Sequence, residues 1–410
     1  MLPLLSIKQF FRDMRNQKLR TFMTMFGILW GTAAVILLMG FGTGMYKAQM
    51  KRFKGLGENI SIIWPGLTSK PWKGLPRGRR VMFTEDDVAR IKAAVPSILR
   101  ISPEYARGSI PMKTGKNNLV ARVAGVWPEF CDMRSLIPQE GGRFINALDM
   151  VEKKRVVFLG NRLAERLFGQ GDHVGKIFMI NNVPFTVIGI MKEKDQNSSY
   201  SGRDYNHAWI PASTYRTMWS NRYPQNMIVQ APRPDMMGRV KQEIKNVLGS
   251  KYNFDPKDTE ALMIWDTTEG FKFFATFFLA FRAFLVGIGC MTLVTGGIGV
   301  SNIMNVVLEE RTKEIGIKMA MGAKKRVIMS QFMFETILLT AIGGTLGFLM
   351  AFGLMKALPP SLTEDIGEPT ITFSGALMAV GIVGLIALVS GFFPARRAAN
   401  LEPVKALKLF

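Results

Sequence analysis

The sequence predicts a membrane protein with four transmembrane α-helices, one followed at a distance by three, and a large exported α+β domain of two lobes between spans one and two. Three observations carry this. Four stretches are almost free of charge over the roughly 20 residues needed to cross a bilayer. Lys and Arg crowd alternate flanks of those stretches. Residues 47–282, between the first and second stretches, are far too long for a connector and must fold on their own. Composition agrees: 48% of residues are hydrophobic, with 27 Met and 29 Phe, and mean hydropathy is +0.14. That is more apolar surface than a water-soluble globule of ordinary design can bury.

In chain order, residues 1–20 place Leu5, Phe10, Phe11 and Met14 among Lys8, Arg12, Arg15, Lys18 and Arg20. This is the pattern of an amphipathic helix at the inner membrane surface. The first span, 21–46, is uncharged from Thr21 to Tyr46. A secretory leader has a shorter apolar core of about 7–15 residues, so this stretch is read as a retained anchor. The second span is 283–308. The third, 327–355, holds one charge, Glu335. The uncharged run Pro369–Ala395 supplies the fourth, placed at 372–395. Buried helices of a soluble protein are the alternative, and four separate runs of this length argue against it.

Basic residues precede span one, fill residues 309–326 (Arg311, Lys313, Lys318, Lys324, Lys325, Arg326) and follow span four (Arg396, Arg397, Lys405, Lys408). Residues 356–371 have only Lys356 against Glu364, Asp365 and Glu368. Basic flanks stay inside, so both termini and 309–326 are expected in the cytoplasm of a cell inner membrane protein. Residues 356–371 are then a short exported loop, and 396–410 a cytoplasmic tail. The net charge of +22 comes without any motif of base-contacting spacing. Nucleic acid is therefore not expected as a partner; anionic lipid headgroups or an acidic partner suit the exported surface better.

Within the exported segment, Met45–Gly55 should continue span one as a helix. Glu58–Trp64 alternates like a strand, and Ser69–Arg80 reads as a surface loop. Thr84 is an N-cap for a helix over Glu85–Ala94. Asn118–Val126 reads as a strand and Asn161–Phe168 as a helix stopped by Gly169. Lys176–Ile180 and Phe185–Met191 form a hairpin around Asn181–Asn182, a pair that tolerates positive φ. Met227–Gln230 is a strand, and Met236–Leu248 a helix ending at Gly249. The outer lobe is placed at about 56–115 and 225–270, with about 116–224 inserted into it. Seven Phe between Phe271 and Phe284 read as an interfacial aromatic belt before span two; an amphipathic helix lining an entrance is the alternative.

Several chemistries are missing. Two Cys (Cys131, Cys290) and two His (His173, His207), scattered singly, give no disulfide framework or zinc module. The nearest approach to a phosphate-cradling loop is Gly169-Gln-Gly-Asp-His-Val-Gly175-Lys176-Ile177. Its glycines are misplaced, and Ile177 offers no hydroxyl to Mg²⁺. Glu335 is the one ionisable group inside a span; it reads as an interfacial carboxylate pairing with the basic loop rather than a coupling carboxylate. Gly287, Gly296, Gly297 and Gly299, Gly343, Gly344 and Gly347, and Gly381, Gly384 and Gly391 let span backbones approach closely. Asn302 and Asn305 are expected to bond between helices.

Residues 309–326 read EERTKEIGIKMAMGAKKR. Helical spacing puts Arg311, Ile315 and Lys318 near one face and lets Glu310 and Glu314 pair with Arg311 and Lys318. Ala320–Ala323 then breaks the helix. Such a helix is either a solvated connector or a lever gripped by a cytoplasmic protein. Its pattern E-R-x-x-E-I-G-x-x-x-A-x-G-A falls on Glu310, Arg311, Glu314, Ile315, Gly316, Ala320, Gly322 and Ala323. A second pattern, P-A-x-x-A-A-x-L-x-P-x-x-A-L, falls on Pro394, Ala395, Ala398, Ala399, Leu401, Pro403, Ala406 and Leu407, with Arg396 and Arg397 between. With Leu19–Ile28 and the exported stretch Gly160–Gly189, these motifs make the whole chain resemble the permease subunits of MacB/FtsX-type ABC transporters.

That resemblance implies a dimer of permeases, as a homodimer or with a paralogue, joined to cytoplasmic ABC ATPase subunits. The exported domains would ride on helical stalks that transmit ATP-driven movement. ATP and Mg would be bound by the ATPase, with no cofactor in this chain. In MacB the ATPase is fused at the N-terminus. Here twenty residues precede span one, so the resemblance implies a separate ATPase chain, with a periplasmic adaptor as a further partner in the export reading. The alternatives are an FtsX-like signalling subunit that activates a cell-wall hydrolase, a lipoprotein-releasing permease, and a membrane-bound enzyme. The last lacks a catalytic constellation.

Overall fold

A computed structural model describes residues 18–403 apart from 116, 197 and 198. The N-terminal helix expected over 1–20 lies outside the described residues except for its last three, which open a longer helix. Ala406 and Leu407 of the C-terminal pattern lie outside them as well. The chain divides into two compact units, 50–274 and 1–49 with 275–410.

Helix α1 (Lys18–Lys54) carries the first span without a break past Tyr46. There follow β1 (Ile60–Pro65), α2 (Glu85–Ala94), β2 (Arg100–Thr114), β3 (Asn117–Val126), the short helices α3 (Phe130–Met133) and α4 (Ala147–Val151), and β4 (Val156–Leu159). Next come α5 (Asn161–Phe168), β5 (Ile177–Ile180), β6 (Val183–Ile190), β7 (His207–Pro211), α6 (Ala212–Trp219), β8 (Asn226–Gln230), α7 (Met237–Tyr252) and β9 (Leu262–Asp266). The nine strands form one sheet in the order β3-β7-β4-β6-β5-β2-β8-β1-β9, and β2 also pairs with β3. That extra pairing closes β2, β3, β7, β4, β6 and β5 into a ring, from which β8, β1 and β9 extend as an antiparallel flank. Strand β2 is long enough to serve both: Arg100–Glu104 pair with β8 and Glu104–Thr114 with β3, across a bulge between Arg107 and Ile110.

Several expected elements appear where local chemistry dictates them. Thr84 and Asp87 form a capping box at the start of α2. Asn181 and Asn182 turn the β5–β6 hairpin at φ 48° and 61°. Helix α7, however, does not stop at Gly249. It runs to Tyr252 and ends at Asn253, left-handed at φ 50°. Gly249 is instead a close-approach position, where a Cβ would sit 3.0 Å from the Phe254 carbonyl. Strands β2, β4, β7 and β9 and helix α6 were not legible in advance.

The remaining helices are α8 (Thr267–Glu310), α9 (Thr312–Ala320), α10 (Lys325–Ala357), α11 (Pro360–Ile366) and α12 (Phe373–Ala399). Among the described residues, four helices are long and apolar enough to cross a membrane: α1, α8, α10 and α12. Their outward surfaces are apolar: Phe373 is 86% exposed and Met291 74%, as expected of helices facing lipid. Helix α8 has 44 residues, about 66 Å at 1.5 Å per residue, against a hydrocarbon core of about 30 Å. The surplus is its N-terminal part, where the Phe run divides by face. Phe271 and Phe274 pack on Phe53, with ring centroids at 5.8 and 4.4 Å, and Phe278 packs on Tyr46 at 5.7 Å. Phe273, Phe277 and Phe284 point outward.

The span glycines also divide. A Cβ on Gly296 would lie 2.8 Å from the Gly27 carbonyl oxygen, and one on Gly391 2.9 Å from Thr336 Cβ. Gly297, Gly343, Gly344 and Gly347 likewise meet neighbouring helices. Gly287, Gly299, Gly381 and Gly384 face open space among the described residues, so the packing role expected for all ten holds for six. Asn305 Oδ1 accepts from Arg397 at 3.4 Å. Asn302 is exposed and has no hydrogen bond to another helix among the described residues.

Candidate functional site

The connection between α8 and α10 is built from the ends of both. Thr312 Oγ1 donates to the Leu308 carbonyl at 2.9 Å, and the Arg311 N–H to Val307 at 3.1 Å. The helical ladder therefore reaches Arg311, whose backbone (φ −97°, ψ 8°) departs from the helix and separates α8 from α9. Ile315 and Gly316 turn inward, and Glu314 and Lys318 pair at 2.7 Å across one turn. At the far end Ala323 N–H donates to Lys318 and Gly322 N–H to Met319, both at 3.0 Å. These two bonds define a Schellman motif. It requires a left-handed residue at Gly322, which has φ +95°. The A-x-G-A part of the motif is thus a helix stop with a physical reason.

Ile315 of α9 enters a cluster drawn from four other helices: Ile28 of α1, Val300, Met304 and Leu308 of α8, Ile328 and Phe332 of α10, and Ala395 and Ala398 of α12. The two sequence patterns therefore meet, through Ile315 on one side and Ala395 and Ala398 on the other. Pro394 is buried inside α12, while Arg396 and Arg397 are exposed. The single charge of span three is explained here: Arg311 Nη1 lies 3.2 and 3.3 Å from the two oxygens of Glu335, which also accepts from Gln331 at 3.2 Å. Glu335 is a carboxylate paired with the basic loop, as its position led us to expect.

Not all motif residues converge. Glu310, Ala320 and Gly322 are exposed. Within α9, Lys313, Ile317 and Ala320 form one face, at spacings of three and four, and Met321 follows as its C-cap. Ile317 is 42% and Met321 76% exposed. Sequence reasoning missed this pair, although two apolar residues four apart on an otherwise charged helix were a readable signal.

A second concentration of chemistry, not anticipated, lies inside the domain 50–274. Arg134 Nη2 and Asp204 Oδ1 are 2.7 Å apart, with both side chains almost completely buried. Lys194 Nζ reaches Asp204 at 2.8 Å and donates to the Arg134 carbonyl at 2.6 Å. Tyr200 OH donates to Glu104 at 2.6 Å, beneath the Arg134 guanidinium. Burial alone would raise the Asp204 carboxyl, yet Arg134 and Lys194 hold it below the ordinary range. Glu104 is raised by burial, and burial pushes His207 down to about 4. Among the described residues no nucleophile stands beside an available base here; the charges pair, although Arg134 Nε and Nη1 are buried with no hydrogen-bond partner. The cluster is a structural ion network with buried polar atoms, a costly arrangement that persists only when complete.

The architecture so far defines a class: a one-plus-three membrane protein with a β-rich extracytoplasmic domain between its first two spans. Residues 21–247 match the MacB-like periplasmic core domain, and residues 274–403 match the FtsX-like permease C-terminal domain. The chain belongs to the MacB/FtsX-type family of ABC transporter permeases. It is 32% identical over 406 residues to a macrolide export ATP-binding/permease protein MacB of Chlorobaculum tepidum, covering 98% of this chain and 61% of that one. It is 28% identical over 405 residues to the MacB of Bdellovibrio bacteriovorus, covering 98% and 61%. The chain thus spans about six-tenths of the length of the curated relatives it matches. The crystal structure of the periplasmic region of MacB from Actinobacillus actinomycetemcomitans is 17% identical, with a TM-score of 0.43 over 54% of this chain and 95% of that one.

Proposed function

We propose that this chain is a permease subunit that couples ATP hydrolysis by a separate cytoplasmic ABC ATPase to extrusion of a substrate on the outer side of the cell inner membrane. Both termini and α9 face the cytoplasm in this reading, because basic residues crowd those segments. ATP and Mg belong to the ATPase. A second permease copy completes the assembly. Movement of the ATPase is passed to α9, along α8 and α1, and so to the extracytoplasmic domain, where a periplasmic adaptor collects the cargo.

One observation carries the reading: α9 is anchored through Ile315 to a cluster of four helices, while its other face offers Ile317 and Met321 to solvent. A mere connector has no reason to expose two large apolar side chains between charged ones, whereas a helix that docks into a partner groove does. The relatives' name, ATP-binding/permease, supports an ATPase as that partner. The test is co-purification of the ATPase with Ile317→Glu and Met321→Glu variants. Each should weaken retention by about tenfold or more, as for a buried interface anchor, while the permease still inserts and folds. Retention equal to wild type in both variants would remove α9 as the docking element.

A further inference from the structure

We propose that Glu335 is a positioning residue for α9: through Arg311 it locks the break between α8 and α9, so that a push on α9 reaches α10 as well as α8. The inference rests on the reading of α9 as a lever, but its first test does not use the ATPase.

The backbone departs from helix at Arg311. A lever joined to its shaft at such a point would swing about it and dissipate the push. Two features oppose that swing. One is the insertion of Ile315 into the apolar cluster, which is non-directional. The other is the ion pair, which is directional: Arg311 meets both oxygens of Glu335 at 3.2 and 3.3 Å. Glu335 stands on α10, and its side chain is 5% exposed. A buried carboxylate cannot stay without a partner except at a large cost, so any rotation of α9 that withdraws Arg311 is strongly opposed. Gln331, one turn earlier on the same helix, donates to Oε1 at 3.2 Å and fixes the carboxylate plane. Beside it, Thr336 contacts Gly391 of α12 so closely that a Cβ there would fall 2.9 Å from Thr336 Cβ. The pair therefore joins the α8–α9 break to a part of α10 that is itself packed against α12.

The experiment places spin labels at Ile317→Cys on α9 and Phe334→Cys on α10, both exposed positions, in the full chain with Cys131 and Cys290 replaced by Ser, reconstituted in lipid nanodiscs. The interlabel distance distribution is recorded for wild type, Glu335→Gln, Arg311→Ala, and the exchange Arg311→Glu with Glu335→Arg. We expect one narrow distribution in wild type, one at least about twofold broader in each single variant, and narrowing again in the exchange, which restores a pair of opposite charges where each single variant leaves a buried group without its partner. Glu335→Gln removes the buried charge at nearly constant volume and keeps the comparison open if Arg311→Ala, which strands the buried carboxylate, folds poorly. A single-variant distribution as narrow as wild type overturns the proposal. With the ATPase added to unlabelled chains that keep Ile317, the single variants should still bind it but lose the stimulation of ATP turnover that the permease confers. Broadened distributions with no ATPase bound to wild type would leave the lock standing and remove the lever reading instead.

Discussion

Individual residues show how this chain tolerates charge inside apolar surroundings. Glu335 in a span and Asp204 in the extracytoplasmic domain are both almost fully buried, and both are held by arginine. His207 sits at the edge of the second network, 3.9 Å from Asp204, and burial holds it neutral, with its pKa near 4. An unfolded histidine titrates at about 6.5, so between pH 6.5 and 4 the unfolded chain takes up a proton that the folded one refuses. Stability is therefore lost as pH falls through that window, by up to about 3 kcal/mol at its lower end. Glu104, raised by burial, acts in the opposite sense, because its folded form accepts a proton first. The two are separated by His207→Gln. Denaturant unfolding of the full chain, followed by tryptophan fluorescence, should show the variant gaining on wild type steadily from pH 7 to 4. A pH-independent difference would mean that His207 is not buried neutral.

At the scale of elements, helices with explicit stop and start chemistry were readable, and strands that depend on the tertiary ring were not. Thr84 capping α2, Gly169 ending α5 and the Asn181–Asn182 turn are local signals, and each appears as expected. Strand β2 carries Pro103 and Pro111 and a bulge at Gly108–Ser109, all of which read locally as loop. Strands β4 and β7 are buried on both faces, so they lack the alternation that reveals a half-buried strand. For the spans the pattern located the helices, but not which glycines pack. Gly296→Leu would drive a side chain into the Gly27 carbonyl region and should destabilise the helix packing by about 1–3 kcal/mol, as overpacking does. Gly381→Leu, which meets open space, should leave it unchanged. Thermal unfolding of the full chain in detergent compares the two, and equal effects would refute the assigned α1–α8 contact. In the candidate site, the sequence located α9 and its motif residues, while the Arg311–Glu335 pairing and the Ile317–Met321 face needed three-dimensional placement.

At the scale of the whole molecule, the central claim is that a movement imposed on α9 in the cytoplasm is expressed in the domain outside. Helices α1 and α8 support it, each being unbroken over more residues than a bilayer needs. The family is one of permeases with a periplasmic core domain; the lever, its anchor and its lock are our proposal for this chain. The most direct measurement co-reconstitutes the chain with its ATPase and follows a fluorescent pair in the extracytoplasmic domain during ATP turnover, in wild type and in Gly316→Trp, which wedges α9 off its buried seat. The account predicts a nucleotide-driven change in wild type that disappears in Gly316→Trp while ATP hydrolysis continues. A domain that ignores nucleotide in wild type, or that moves equally in the variant, would contradict it.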